Sequence, residues 1–268
     1  YEKLIKHFKL PSLDGLGFNV DDRSLCSASA LIDYLNQTQK TSVSHISSLK
    51  KYHADDFMHI DSTTRRNLEL IKTIKERSYE GSLLSIIDGT YTPMGARMLR
   101  SWLLFPLRDA LKINMRLDCV NEFFENVIIR QELSSCLKVI SDIERLTGKI
   151  ACLSANARDL SSLKESISYL PKIKNIINGC SSLMLKNLVN LKDLTPLFDL
   201  ISNAICDDPP FSIREGGLIK QGFSPELDDL RETSKKSKEW ISNLEAQEKI
   251  RTGIKSLKVG FTKVFGYF

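Results

Sequence analysis

Ser224-Pro225-Glu226-Leu227-Asp228-Asp229-Leu230-Arg231-Glu232-Thr233-Ser234-Lys235-Lys236-Ser237-Lys238-Glu239-Trp240-Ile241-Ser242-Asn243-Leu244 opens the longest helix expected in the chain. Serine is a good helix cap, proline fits the first helical position, and Glu226, Asp228 and Asp229 suit the positive end of the helix dipole. Leu227, Leu230, Ser234, Ser237, Ile241, Leu244, Glu248 and Arg251 then alternate at intervals of three and four. That is the seam of a two-stranded coiled coil rather than the broad stripe of a helix lying on a core. A helix of this length reaches about 40 Å at ~1.5 Å per residue, too far to lie wholly against a compact bundle. The sequence therefore predicts a projecting arm whose seam calls for a partner helix.

Beyond the arm the pattern changes period. Leu257, Val259 and Phe261 alternate with Lys258, Gly260 and Thr262, and Phe265 and Tyr267 flank Gly266, which predicts two short strands at the arm's far end. Before it, Asp207-Asp208-Pro209-Pro210 breaks the chain and Arg214-Glu215-Gly216-Gly217 and Gln221-Gly222 turn it. Upstream the reading is helical: Cys26 to Gln39, Ser62 to Arg77, a helix opened by Thr92-Pro93 and closed at Phe105-Pro106, one begun by Asp109, and further stretches at Val127 to Leu137, Asp159 to Ile177 and Leu183 to Ile205. Short polar connections between them suit an antiparallel bundle.

The chain has 268 residues, 42% of them hydrophobic, enough for one large domain or two modest ones. Charge interrupts every apolar run, so none supplies the ~20 residues of a membrane helix. Tyr1-Glu2-Lys3-Leu4 carries neither an initiator Met nor a signal pattern, and the natural start is expected upstream. Six cysteines (Cys26, Cys119, Cys136, Cys152, Cys180 and Cys206) lack metal-ligand spacing and read as buried reduced thiols. Residues 249–268 hold Lys249, Arg251, Lys255, Lys258 and Lys263 and no carboxylate, so they account for the whole formal net charge of +5 while residues 1–248 balance. A field gathered in one place is the footprint of contact with a polyanion.

Catalytic signatures are missing. Gly89 to Gly95 has glycines at the wrong spacing for a phosphate loop, with Ala96-Arg97 where Lys-Ser/Thr would hold phosphate and magnesium. His7, His45, His53 and His59 form no zinc-hydrolase motif, and His53 and His59 around Asp55 and Asp56 read as loop polarity. Arg97 and Arg100, on a helix with Met98, Leu99 and Trp102, read as surface or ion-paired residues rather than a phosphate site.

The run Phe57-Met58-His59-Ile60-Asp61-Ser62-Thr63-Thr64-Arg65-Arg66-Asn67-Leu68-Glu69-Leu70 is followed by Gly81-Ser82-Leu83-Leu84, Thr92-Pro93-Met94-Gly95-Ala96-Arg97-Met98-Leu99-Arg100-Ser101-Trp102-Leu103 and Pro106-Leu107. Asp142-Ile143-Glu144-Arg145-Leu146, Ala155-Asn156-Ala157-Arg158-Asp159-Leu160, Arg214-Glu215-Gly216-Gly217-Leu218-Ile219 and Thr252-Gly253-Ile254-Lys255-Ser256-Leu257-Lys258-Val259-Gly260-Phe261 continue the series. From end to end the chain resembles the bacterial MutS family of DNA mismatch-repair proteins. It departs from the family pattern at Phe268, where a second tyrosine is usual, and at Thr262, where asparagine is frequent.

The resemblance implies a mainly α fold: a helical lever bundle with a long, coiled-coil-like arm ending in a small, incomplete antiparallel β clamp. It implies the end of a connector at 1–25, a helical core or lever at 26–206, and the outgoing arm with the first clamp strands at 207–268. In the family a mismatch-reading domain with a Phe-x-Glu wedge lies upstream, an ATPase lies downstream, and a second long helix returns from the clamp. This stretch is then expected to be non-catalytic, with no cofactor or metal of its own, ATP and Mg belonging to the longer parent. Its expected DNA-backbone contacts are Lys249, Arg251, Lys255, Ser256, Lys258 and Lys263. The implied partners are mismatched double-stranded DNA, a second MutS subunit and a MutL-type protein, in a cytoplasmic, nucleoid-associated setting without a membrane. The competing expectation is a purely structural helical scaffold that docks a protein partner.

Overall fold

The computed structural model describes residues 1–38, 43, 45–51, 54–190, 192–262 and 266–268. It begins with α1 (Glu2–Phe8) and α2 (Arg23–Thr38). Leu4, Leu13, Phe18, Leu25 and Ile32 close a first core between them, with Ile46 and Leu49 packed on its edge. The Lys51 ammonium donates to the Gly17 carbonyl and to Asp22, both at 2.9 Å, and so ties the following segment back onto this unit. The first boundary expected from the sequence, at residue 25, falls inside the first turn of α2, whose core partner is α1.

The chain continues through α3 (Ser62–Asn67), α4 (Leu83–Ile87), α5 (Pro93–Leu104), α6 (Ala110–Glu125), α7 (Val127–Leu137), α8 (Ile143–Ala151), α9 (Ala157–Ser168), α10 (Leu170–Asn178), α11 (Leu183–Leu188) and α12 (Thr195–Ala204). Side-chain caps set most of the starts. Asp61, Ser82, Thr92, Asp109, Asp142 and Asn156 each accept a hydrogen bond from a backbone N–H in the first turn, satisfying donors that a helix leaves unpaired.

Two cores hold these helices. Cys136, Ile140, Ile173, Ile177, Cys180 and Leu185 join α7, α10 and α11, with Cys119 and Phe123 of α6 packed against them. Leu146, Ala157, Leu163, Ile167, Ile201 and Ile205 join α8, α9 and α12. Buried Glu122 of α6 locks the first core from within: its carboxylate accepts from the Ser181 N–H, from the Ser181 hydroxyl at 3.1 Å and from the Ser182 N–H at 2.9 Å, at the start of α11. Burial alone would raise this carboxyl's pKa; the hydrogen bonds from Ser181 and Ser182 outweigh it and lower the pKa instead.

Three long helices expected from the sequence are shorter in the structure. The stretch Ser62 to Arg77 stops at Asn67, because Glu69 turns left-handed (φ 47) and the Glu69 and Leu70 carbonyls accept from Leu83 and Leu84 of α4, each at 3.0 Å. Asp159 to Ile177 divides at Tyr169, and Leu183 to Ile205 divides between Leu188 and Thr195. Pro171 and Pro196 stand at the divisions, in first turns, where a proline costs no intrahelical hydrogen bond. The cysteines also depart from expectation. All six are free thiols, but only Cys136 and Cys180 are buried, while Cys26 and Cys152 are exposed.

After α12 the chain makes one antiparallel bridge, Ile205 to Ile219, and then enters α13 (Pro225–Thr252). Past α13, β1 (Phe261–Thr262) and β2 (Gly266–Tyr267) pair antiparallel, Phe261 opposite Tyr267 and Thr262 opposite Gly266. Gly260 and Phe268 extend the ladder by exchanging N–H···O bonds of 2.9 Å in both directions. A side chain at Gly260 would lie 2.6 Å from the tip of the Phe268 ring, which would have to swing aside to admit it. Among the described residues no helix is long and apolar enough to cross a membrane.

Candidate nucleic-acid interface

The arm is fixed at its root by polar contacts. The Ser224 hydroxyl accepts from the Leu227 N–H at 3.3 Å, and Asp228 accepts from the Gly222 N–H at 2.6 Å. Arg231 donates to the Ile219 carbonyl at 2.9 Å and pairs with Asp228, connecting the first turns of α13 to the bridge that ends the bundle. Lys164 and Lys220 both reach Asp207, which draws the breaker segment onto α9.

Past the root, α13 stands away from the cores. None of its described residues is buried, and Leu230, Trp240 and Ile250 are 67%, 65% and 85% exposed. At 28 residues the arm is about 42 Å long for ~1.5 Å per residue. Ser237, Ile241 and Leu244, three positions of the expected seam, share an open groove of about 740 Å³ with Thr233, Lys236, Trp240 and Val259.

The far end of the arm gathers most of the expected DNA contacts, and it gathers carboxylates with them. Lys249 pairs with Glu245 one turn earlier, and the Arg251 guanidinium makes a two-pronged contact with Glu248 at 2.7–3.1 Å. Both carboxyls are held below their ordinary range, Glu245 by Lys249 and then by the Val259 N–H, Glu248 by Arg251. Arg251 is correspondingly raised by Glu248. Gly253 ends the helix in the left-handed conformation (φ 72), its N–H donating to the Lys249 carbonyl at 3.0 Å. Lys255 and Ser256 follow in an exposed turn, and Lys258 is exposed beside the strand pair. Lys258 is near enough to Glu245 to help lower its pKa without being in contact with it. Lys263 lies outside the described residues.

Sequence reasoning missed Glu245. Its carboxylate accepts from the Val259 N–H at 3.1 Å while holding Lys249, so one side chain fastens the strand segment to the helix end. The signs were the i,i+4 pair Glu245–Lys249 and the i,i+3 pair Glu248–Arg251. A charge count starting at residue 249 cuts between these partners.

Elsewhere Arg97 is ion-paired, as its setting suggested: it donates to both Asp142 oxygens at 2.8 Å and to Glu144. Gly95 gives its N–H to the Thr92 hydroxyl at 3.0 Å, within an ordinary helix cap. Among the described residues no group of three or more His, Cys, Asp or Glu side chains is placed to hold a metal ion. His53 is outside the described residues.

A family model described as MutS domain III matches residues 63–260, and a second, MutS domain II, matches residues 1–47. The chain belongs to the MutS family. It is 46% identical over 269 residues to a DNA mismatch repair protein MutS from Halothermothrix orenii, an alignment covering 100% of this chain and 30% of that protein. A protein of the same name from Clostridium perfringens is 47% identical over 243 residues, covering 90% of the chain and 27% of the relative. One from Methanosarcina barkeri is 41% identical over 272 residues, covering 100% and 30%. The chain therefore spans about three tenths of the length of these MutS relatives.

Proposed function

We propose that this chain is the non-catalytic lever core and the first part of the clamp of a DNA mismatch-recognition protein. It holds the duplex by its backbone and links clamp movement to an ATPase carried elsewhere in the parent. The observation that carries the reading is the arm: about 42 Å of helix anchored at one end by Arg231 and Asp228, unburied along its length, with Lys255 and Lys258 exposed at the other end. A stiff rod with free cations at its tip transmits displacement and meets phosphates without reading bases. The relatives' name supplies the context of mismatch repair.

In this reading 1–25 closes a connector, 26–206 is the lever and 207–268 is the outgoing arm with the first clamp strands. Lys255, Ser256 and Lys258 contact phosphates directly. Lys249 and Arg251 do so by exchanging Glu245 and Glu248 for phosphate, and Lys263 completes the set. The chain itself turns over no ATP; ATP and Mg act in the parent. The parent works on mismatched duplex as a homodimer with a MutL-type partner, in the cytoplasm at the nucleoid. Exposed Leu111, Val120, Phe124 and Ile128 on α6 and α7 suit a part enclosed by the rest of such an assembly.

Lys255→Glu with Lys258→Glu in the parent protein tests the reading. Affinity for matched and mismatched duplex should fall by similar factors, and the log–log salt slope should drop by about 1.8 for two phosphate contacts. ATP binding should persist. Unchanged affinity and slope would make the lysines a solubility feature and leave a protein-docking scaffold as the better account.

A further inference from the structure

Five cations meet in a surface depression of about 460 Å³ far along the sequence from the arm tip: Arg65 and Arg66 of α3, Lys72 and Arg77 of the turn that follows it, and Arg100 of α5. Ile71, Thr73 and Ile74 complete its lining, which includes no carboxylate. Among the described residues none of the five cations takes part in an ion pair, whereas Arg97, Lys149, Arg231 and Arg251 each hold an acid. Glu69, just before the turn, accepts from the Ile74 N–H at 2.6 Å.

The depression is built rather than incidental. The Arg65 guanidinium lies 5.3 Å from the centroid of the Phe105 ring, and its Nε is enclosed without a hydrogen-bond partner. The loop carrying Lys72 and Arg77 is closed on itself, with the Thr73 N–H donating to the Ser78 carbonyl at 2.9 Å and the Ser78 N–H to the Thr73 hydroxyl at 3.2 Å. That closure holds Arg77 in the left-handed region (φ 51), which a residue with a side chain seldom occupies. The Arg65 contact and the closed turn thus hold like charges around one depression, where an anion would find several donors at once.

We propose that Arg65, Arg66, Lys72, Arg77 and Arg100 form a phosphate-binding surface on the helical body, separate from the arm tip. Four of the five are arginines, whose forked donors match phosphate oxygens two at a time. Five cations around one concavity exceed what a single carboxylate neutralises and suit a run of phosphates, either the backbone of a duplex or the polyphosphate tail of a nucleotide. The inference does not depend on the reading of the tip.

The test uses the 268-residue chain with two probes, inorganic tripolyphosphate and a short duplex, across a salt series. Arg66→Glu with Arg100→Glu changes two exposed side chains; Lys255→Glu with Lys258→Glu is the comparison. The patch variant should weaken tripolyphosphate binding roughly tenfold or more, or lower the duplex salt slope by about 1.8 for two lost contacts, or both. Loss for tripolyphosphate alone identifies a nucleotide-type tail, and loss for duplex alone identifies a nucleic-acid backbone. The tip variant should leave tripolyphosphate binding as it was. The single exposed change Lys72→Glu, expected to act in the same direction, carries the test if the double variant melts early. The proposal is overturned if neither probe responds to the patch variants, or if a polyglutamate peptide binds there and phosphate does not.

Discussion

Arg97 of α5 grips Asp142, the N-cap of α8, through two parallel 2.8 Å hydrogen bonds. Asp142 also accepts from the Arg145 N–H at 3.2 Å, so one carboxylate starts a helix and joins it to another. The Arg97 contact, working against desolvation and helped by Arg145, brings the Asp142 pKa down to about 2 from 3.8. A carboxyl with a depressed folded pKa adds stability above its unfolded value, and that stability is lost as pH falls through the folded value. The stability difference between wild type and Arg97→Gln should therefore be full above about pH 4 and vanish toward about pH 2. Thermal unfolding of both proteins across that range measures it; a difference that stayed constant from pH 6 to pH 2 would show that the pair contributes nothing ionic.

Glu122 makes a second acid-dependent joint, this time in a core. Glu122→Gln keeps the shape and removes the charge that three donors from Ser181 and Ser182 share, turning one acceptor into a donor facing donors. The expected cost is roughly 1.5–3 kcal/mol, the range for hydrogen bonds to a charged group. Denaturant unfolding would read it directly. A loss below about 0.5 kcal/mol, the level of a surface change, would mean that the α6–α11 joint does not depend on charge.

Local chemistry made much of this fold readable in advance. Thr92-Pro93, Asp109 and Ser224-Pro225 start helices where their caps predict, and α7 has the expected bounds. Failures came where tertiary contacts override periodicity. Leu68 and Leu70 continue a helical pattern, yet the chain leaves the helix so that the Glu69 and Leu70 carbonyls can meet α4, a partner invisible to any local window. On α6 the apolar pattern was real but its direction was hidden: Phe123 packs inward while Leu117, Val120 and Phe124 face out. At the tip, a count of cations from residue 249 overlooked Glu245 and Glu248, because helical pairing reaches backward across a boundary drawn by composition.

The arm's exposure has a dynamic consequence. With Leu230 and Trp240 mostly solvated and none of the arm's described residues buried, amides beyond the Arg231 anchor have little to protect them besides their own helix and, near Glu245, the Val259 segment. Hydrogen exchange should be markedly faster for 233–252 than for α9, whose Leu163 and Ile167 sit in a core. Protection of the arm equal to α9 in a strictly monomeric sample would count against this, whereas protection that rises with protein concentration would point to pairing through the seam.

The carboxylates at the tip yield the sharpest prediction. In the proposed interface Glu248 holds the Nε and one amino group of Arg251, so it acts as a competitor with phosphate for the same guanidinium. Glu248→Gln removes the competitor's charge while leaving the residue length and the helix intact. Duplex affinity should rise, and the salt slope should steepen by up to about 0.9 as one more cation becomes available to displace counterions. The same substitution at Glu245 would be a poorer test, because Glu245 also holds the Val259 N–H and its loss would move the strand segment. Salt titrations of wild type, Glu248→Gln and Arg251→Gln separate the possibilities. Affinity gained in the first and not in the third makes Arg251 a phosphate contact restrained by its neighbour. Equal affinity in all three would remove Arg251 from the interface and leave Lys255 and Lys258 to carry it.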